Sequence, residues 1–102
     1  MEPYRRCVTI GDDHPALPGH FPGHPVVPGV VILDEVAAAL DGAGRGGGPA
    51  GFLGVKFLRP LSPGESMVIE LTPADAGLVA FTCTTDEGEA IAQGRLQLRE
   101  EA

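Results

Sequence analysis

Apolar and polar residues alternate through much of the C-terminal half of the chain, in four runs separated by short turn sequences. The runs are GFLGVKFLRP (51–60), ESMVIELTP (65–73), GLVAFTCTT (77–85) and EAIAQGRLQLRE (89–100). Met67, Ile69 and Leu71 fall on one face of the second run, as a half-buried strand requires. In the last run Ala90, Ala92, Gly94, Leu96 and Leu98 share one face, and Gln93, Arg95 and Gln97 share the other. The spacing predicts an antiparallel meander of four strands.

The most apolar stretch lies earlier, at residues 30–40, and its residues favour a helix that ends at a C-cap formed by Asp41 and Gly42. Its apolar positions do not fit on one face, which is typical of a buried helix. RRCVTIG (5–11) adds a short first strand. Together these elements predict an α+β fold in which an antiparallel sheet wraps around one central buried helix.

A connection at residues 12–29 joins the first strand to the helix and holds five of the ten prolines in the chain. Proline fixes φ and removes an N–H donor, so this segment is neither helix nor central strand. Long irregular connections in compact domains are often functional. Its sequence HFPGHPVVPG (20–29) makes it the first place to look for a site.

Composition and charge narrow the possible classes of protein. The 102 residues are enough for one domain, 1–102, and the net charge of −7 argues against nucleic-acid binding. No apolar run approaches the ~20 residues of a membrane span, and the N-terminus lacks the apolar core of an export signal, so we expect a cytoplasmic protein. Cys7 and Cys83 are expected to remain free thiols.

Two residue types in and beside the connection could perform acid–base chemistry. Asp34 lies inside the apolar helix, where a carboxylate is costly to ionise without a partner, and His20 lies in the loop that feeds the helix. Of two adjacent carboxylates only one can face inward, and Glu35 is expected to be the solvated or interface-facing one. Pro28-Gly29 would leave free N–H groups at the helix start, where they could stabilise an oxyanion.

Other interpretations of the histidines stay open. A single loop histidine is more often structural than catalytic, and His14, before a proline, is expected to be a surface or turn residue. His20 and His24 have the spacing of a metal pair on a helix, but the intervening prolines forbid that helix and no third ligand is evident.

The segment HFPGHPVVPGVVILDEV (20–36) resembles the signature of the β-hydroxyacyl-[acyl carrier protein] dehydratases, which have the hot-dog fold. Their pattern is His-Phe-x-Gly-x-Pro-x-x-Pro-Gly, followed by four residues and an acid, which places the catalytic pair on His20 and Asp34. KFLRPLSPGE (56–65) is similar to a second family motif, RPVxPGD. The resemblance covers roughly residues 7 to 99.

The resemblance implies dehydration of a (3R)-3-hydroxyacyl thioester to the trans-2-enoyl thioester. His20 would take the C2 proton, and Asp34 would protonate the departing C3 hydroxyl. The thioester carbonyl would bind backbone N–H groups at Gly29 and Val30.

It also implies that the Val26 carbonyl holds the other ring nitrogen of the histidine, and that Phe21 lines the acyl tunnel. The expected partner is an acyl carrier protein, whose phosphopantetheine arm brings the substrate, with no metal or redox cofactor. The catalytic residues of one site would come from two subunits, as a homodimer or as a heterodimer with a related hot-dog subunit.

Three features depart from the usual pattern: the short segment before Cys7, the short glycine-rich link at 42–51, and aspartate rather than glutamate at position 34. They resemble the small dehydratases of aryl-polyene and polyketide-type pathways. The alternatives are a non-catalytic hot-dog subunit that completes a partner's site, which the short N-terminus favours, a hot-dog thioesterase, and a small metal-binding module.

Overall fold

The computed structural model describes residues 2–11, 26–45 and 48–99. The elements are β1 (Tyr4–Thr9), α1 (Gly29–Gly42), β2 (Pro49–Phe57), β3 (Ser66–Pro73), β4 (Leu78–Thr85) and β5 (Ala90–Leu98). All five predicted strands and the predicted helix are present in this part of the chain. The described residues do not include His14, His20, Phe21 and His24, so what the sequence predicts for these four residues stays a prediction.

The five strands form one antiparallel sheet in the order β1-β3-β4-β5-β2. The chain runs β3 to β4 to β5 as a meander through short turns, and β2 and β1 occupy the two edges. Each edge strand therefore has one side without a partner strand in the described part of the chain. The predicted α+β layout of a sheet with one helix is confirmed.

One side of α1 packs on the sheet and builds the core. Ile32, Val36, Ala39 and Leu40 lie on this side, at helical spacing, and are at most 2% exposed. They meet the apolar face of the sheet, on which Met67, Ile69 and Leu71 are fully buried, as the alternation in β3 predicts.

The prediction that α1 is buried all round is wrong for the single chain. Val30 is 64% exposed and Asp34, one turn later, is exposed too. A five-stranded sheet covers only one side of a helix, and the described residues provide no second layer over the other side. The apolar residues on that outer side are therefore left uncovered by their own chain.

The helix also ends later than predicted. It continues through Gly42, and Ala43 is the C-cap, with its N–H donating to the Ala39 carbonyl at 2.9 Å. Gly44 has φ +88°, so the left-handed residue that follows the helix lies beyond the predicted C-cap at Asp41-Gly42. At 14 residues, α1 is too short to cross a membrane, and the described residues contain no other helix.

A register shift between β4 and β5 corrects the predicted alternation of the last strand. Cys83 pairs with Ala92 and Thr84 pairs with Ala90, so Ile91 is the extra residue of a bulge. Ile91 and Ala92 are consequently both buried, whereas Ala90 is exposed. Cys83 is a free buried thiol whose pKa is raised to about 12 by burial, and Cys7 is free and exposed, as predicted.

Candidate active site

A backbone hydrogen bond joins the residues just before α1 to the connection between β2 and β3. The Val27 N–H donates to the Leu61 carbonyl at 2.8 Å, and Leu61 is fully buried. The next residue, Pro28, is the N-cap, and its carbonyl accepts from the N–H groups of Val31 at 3.0 Å and Ile32 at 3.3 Å. The segment that leads into the helix is therefore attached to a buried residue of this connection.

The first two N–H groups of the helix, those of Gly29 and Val30, donate to no carbonyl in the described part of the chain. Unpaired N–H groups are expected in the first turn of a helix, and the helix dipole adds partial positive charge there. No acidic side chain lies in this turn. The turn can therefore accept a carbonyl oxygen that develops negative charge.

A cavity of about 470 Å³ adjoins this helix start, a size within the range of ~300–1,000 Å³ that is usual for small-molecule sites. Its lining is mostly apolar and consists of Val26, Val27, Gly29, Ile32, Phe57, Leu58, Arg59, Pro60 and Leu61. Two predicted site residues, Val26 and Gly29, thus share one cavity. An acyl or pantetheine chain would find mainly hydrocarbon walls there.

The Phe57 ring lies close to Gly29. A Cβ at position 29 would lie 2.8 Å from Cζ of the Phe57 ring, closer than side chains pack. The ring belongs to a residue that is 52% exposed, so its outer end covers the helix start without being locked in the core. The glycine predicted to expose its N–H therefore also makes room for an aromatic wall of the cavity.

Asp34 lies on the outer side of α1, four residues after Val30, and both side chains are exposed. Glu35, expected to be the more solvated of the two carboxylates, is instead only partly exposed. Asp34 is therefore directed away from the core of its own chain, contrary to the expectation of a buried carboxyl. Its distance to His20 lies outside what the structure describes.

Arg59 connects this cavity to a charged cluster. Its Nη1 donates to both carboxylate oxygens of Glu65 and to the Pro60 carbonyl, each at 3.1 Å, and its Nε lies 3.2 Å from Oε2 of Glu89. The hydrogen bond to Glu65 raises the pKa of Arg59. The same bond, assisted by the Ser62 N–H, lowers the pKa of Glu65. Both groups remain ionised near neutral pH.

Sequence reasoning missed Phe57, Leu58 and Leu61 as neighbours of the helix start. The sequence feature that could have pointed to these residues is the motif KFLRPLSPGE, which the resemblance identified without indicating which segment it contacts. A strand pattern shows which face a residue occupies, but not which distant segment packs against it.

Large apolar side chains are exposed around the same region. Val30, Leu53, Phe57 and Leu58 are each 45–64% exposed, and three of the four lie on or directly after the edge strand β2. Beside them, β2 has a side with no partner strand in the described residues. An unpaired strand edge next to exposed apolar residues is a favourable surface for another chain.

Solved structures with related folds include a dehydratase heterocomplex and an (R)-hydratase. The dehydratase heterocomplex ApeI:P from Xenorhabdus doucetiae matches with a TM-score of 0.83 and 24% identity, covering 97% of this chain and 88% of that chain. An (R)-hydratase of A. caviae involved in PHA biosynthesis matches with a TM-score of 0.61 and 18% identity, covering 96% of this chain and 95% of that chain. The likeness in fold confirms the predicted hot-dog architecture.

Curated relatives include several 3-hydroxyacyl-[acyl-carrier-protein] dehydratases named FabZ. That of Thermus thermophilus is 43% identical over 72 residues, which cover 62% of this chain and 49% of the relative. That of Polaromonas sp. is 38% identical over 98 residues, which cover 83% of this chain and 66% of the relative. That of Syntrophotalea carbinolica is 32% identical over 110 residues, which cover 94% of this chain and 71% of the relative. The chain thus spans about half to two thirds of the length of most of these relatives.

The family profile described as ApeI-like, ApeI dehydratase, matches residues 4–95. This range includes the helix start, the cavity and both motifs on which the resemblance was based. The chain belongs to the ApeI-like dehydratase family.

Proposed function

We propose that the chain dehydrates a (3R)-3-hydroxyacyl thioester, carried on an acyl carrier protein, to the trans-2-enoyl thioester. The observation that carries the proposal is the start of α1. In the described part of the chain the N–H groups of Gly29 and Val30 donate to no carbonyl, and Gly29 lines an apolar cavity within the segment that matches the family. The relatives named as 3-hydroxyacyl-[acyl-carrier-protein] dehydratases support the substrate class.

In the proposed reaction the thioester carbonyl accepts hydrogen bonds from Gly29 and Val30. This makes the C2 proton more acidic, because the negative charge that develops on the oxygen is stabilised. His20 takes that proton, the C2–H electron pair forms the C2=C3 double bond, and the C3–O bond breaks. Asp34 gives its proton to the departing hydroxyl, which leaves as water.

The position of Asp34 favours a site shared between two chains. Its carboxyl lies on the outer side of α1, beside the exposed Val30 and away from the core of its own chain. A second hot-dog subunit on that side would desolvate the carboxyl and favour its protonated form, which a general acid needs. We therefore propose that the partner is a second copy or a related hot-dog subunit. The edge of β2, which has no partner strand among the described residues, would contribute to the interface.

A purified-chain assay tests the activity. With 3-hydroxybutyryl thioester on an acyl carrier protein, formation of the conjugated enoyl thioester is followed by its absorbance, and crotonyl thioester measures the reverse reaction. His20→Ala and Asp34→Asn should each lower turnover by about 10²–10⁴-fold, the range for general acid–base groups. Wild-type turnover no faster than the uncatalysed rate would refute the proposal.

A second candidate function is a non-catalytic subunit that completes a partner's site. The exposed Asp34 favours it, because one chain alone leaves this carboxyl in solvent. One solved structure with a similar fold is a dehydratase heterocomplex, which supports assembly with a second, different chain. This function would be favoured if the chain is inactive alone but raises the turnover of a co-purified hot-dog partner. The Asp34→Asn variant should then fail to raise the partner's turnover.

A further inference from the structure

The turn between β2 and β3 contains an ion pair that encloses one buried carbonyl. Arg59 donates to the Pro60 carbonyl at 3.1 Å, and Glu65 accepts from the Ser62 N–H at 3.1 Å. The Pro60 carbonyl and the Ser62 N–H are the backbone groups directly before and after Leu61. Because the two charged side chains also bind each other at 3.1 Å, the backbone before and after Leu61 is fixed by one pair.

The Leu61 carbonyl is the group that holds the helix start. It accepts the Val27 N–H at 2.8 Å, two residues before the proposed carbonyl-binding donor at Gly29. Val27 is 5% exposed and Leu61 is fully buried, so a shift of either backbone would disturb the core. A continuous set of contacts thus leads from Glu65 through Arg59 and Leu61 to Gly29.

We infer that Arg59 and Glu65 are positioning residues, which hold the N–H groups at the start of α1 in register with the substrate carbonyl. This inference rests on the proposed function and assigns a role to the second motif, KFLRPLSPGE. Glu65 is the clearer member to test, because Arg59 also lines the cavity and would contact substrate there, whereas Glu65 is not among the residues that line it.

The structure supplies a matched control in Glu89. Both glutamates bind Arg59, Glu65 at 3.1 Å and Glu89 at 3.2 Å, but only Glu65 also accepts from the turn backbone. Replacing either by alanine removes one carboxylate from Arg59. If Arg59 needed only a counter-ion, the two replacements would have similar effects.

Two measurements are compared for Glu65→Ala and Glu89→Ala: steady-state kinetics with the hydroxyacyl thioester, and amide hydrogen exchange at Val27. In Glu65→Ala we expect kcat to fall about tenfold with little change in KM, because the oxyanion donors are displaced rather than removed. Exchange at Val27 should accelerate at least tenfold, and by more than exchange at the central strand β4, which reports only the change in global stability. Glu89→Ala should change neither quantity, and Glu65→Asp, which keeps the carboxylate, should restore both.

Unchanged Val27 exchange in Glu65→Ala, or an equal loss of kcat in Glu89→Ala, would overturn the inference. If Glu65→Ala does not fold, Glu65→Gln gives the same comparison with a smaller expected change, and no change at Val27 would have the same meaning. Wild-type protein without dehydratase activity would refute the proposed function instead. The Val27 exchange would then still show whether the ion pair holds the helix start.

Discussion

At Gly29 the absence of a side chain does two things: it leaves the first N–H of the helix accessible and it lets the Phe57 ring approach. A methyl group there would lie 2.8 Å from the ring. Because Phe57 is half exposed, the ring can rotate away, so we expect Gly29→Ala to fold normally. The displaced ring would enter the cavity, and turnover should fall by about 10²-fold, the scale of a disturbed oxyanion donor.

The control is the pair Phe57→Ala and Gly29→Ala/Phe57→Ala, measured by turnover and thermal unfolding. If the ring causes the loss, the double variant should be no slower than Phe57→Ala. If the methyl group itself blocks the N–H, the double variant should be as slow as Gly29→Ala. Full activity in Gly29→Ala would show that the helix start does not bind the carbonyl.

Glu65 should make folding stability depend on pH. Its pKa is below the ordinary value of about 4.5 because it accepts from Arg59 and from the Ser62 N–H. A carboxyl with a lowered pKa stabilises the folded state above its unfolded-state pKa, and the contribution is lost as the pH falls through the folded-state value. Urea unfolding should show wild type more stable than Glu65→Ala by up to ~1 kcal/mol at pH 7, the scale of partly exposed ion pairs.

The difference between the two proteins should disappear as the pH falls below about 4.5 and through the lowered pKa. An equal difference at pH 7 and at pH 2–3 would mean that the carboxylate charge is not the source of the stability.

At the scale of elements, the close packing of β5 on β2 and β4 can be tested at Gly94. A Cβ there would lie 2.9 Å from Cε2 of Phe81 and 3.1 Å from the Val55 Cα. Phe81 is 1% exposed and packs edge to face on Phe52, so neither neighbour can move away easily. We expect Gly94→Ala to lower the free energy of unfolding by ~1–3 kcal/mol, the usual cost of overpacking.

Gly51, on β2, is the matched control. A Cβ there meets nothing within 4 Å, so Gly51→Ala should be neutral or slightly stabilising through the loss of backbone entropy in the unfolded chain. Urea midpoints of the two variants compare them directly. Equal midpoints would mean that the sheet yields at Gly94 and is not closely packed there.

The elements differ in how far their sequence predicts them. Met67, Ile69 and Leu71 are spaced two residues apart, and this strand period places them correctly on the buried face, although Val68 between them is also apolar and buried. The bulge at Ile91 could not be predicted, because Ala90, Ile91 and Ala92 are all apolar and pairing with Cys83 decides which one is extra.

Of the site, Pro28-Gly29 marked the helix start, since these residue types determine local backbone geometry. Phe57 did not stand out, because its contact with Gly29 joins segments distant in the chain. The exposure of Asp34 was also missed, since hydropathy does not distinguish a helix side covered by its own chain from one left for a partner.

For the whole molecule, an active site shared between two chains requires a partner on the side of β2 and the outer face of α1. Leu53 lies on this edge strand and is 45% exposed. A lysine there would place a charge in the proposed interface, where burial without a partner is costly. Leu53→Lys should therefore weaken dimerisation and activity together, in light scattering and in turnover.

Cys7→Lys places the same charge on an exposed position of β1, the opposite edge of the sheet, and should leave both unchanged. A monomeric wild type at micromolar concentration would contradict a site shared between two copies. Loss of the dimer in Cys7→Lys but not in Leu53→Lys would place the interface at the β1 edge.

The most direct test of the account is subunit mixing between His20→Ala and Asp34→Asn. Each variant alone should be inactive. If His20 of one chain works with Asp34 of the other, a mixed dimer contains one intact site of two, and activity should reappear as subunits exchange. With random exchange of equal amounts, half of the dimers are mixed, and activity should approach about one quarter of the wild-type value. No recovery after exchange is confirmed by mass would contradict a site built from His20 and Asp34 of two chains.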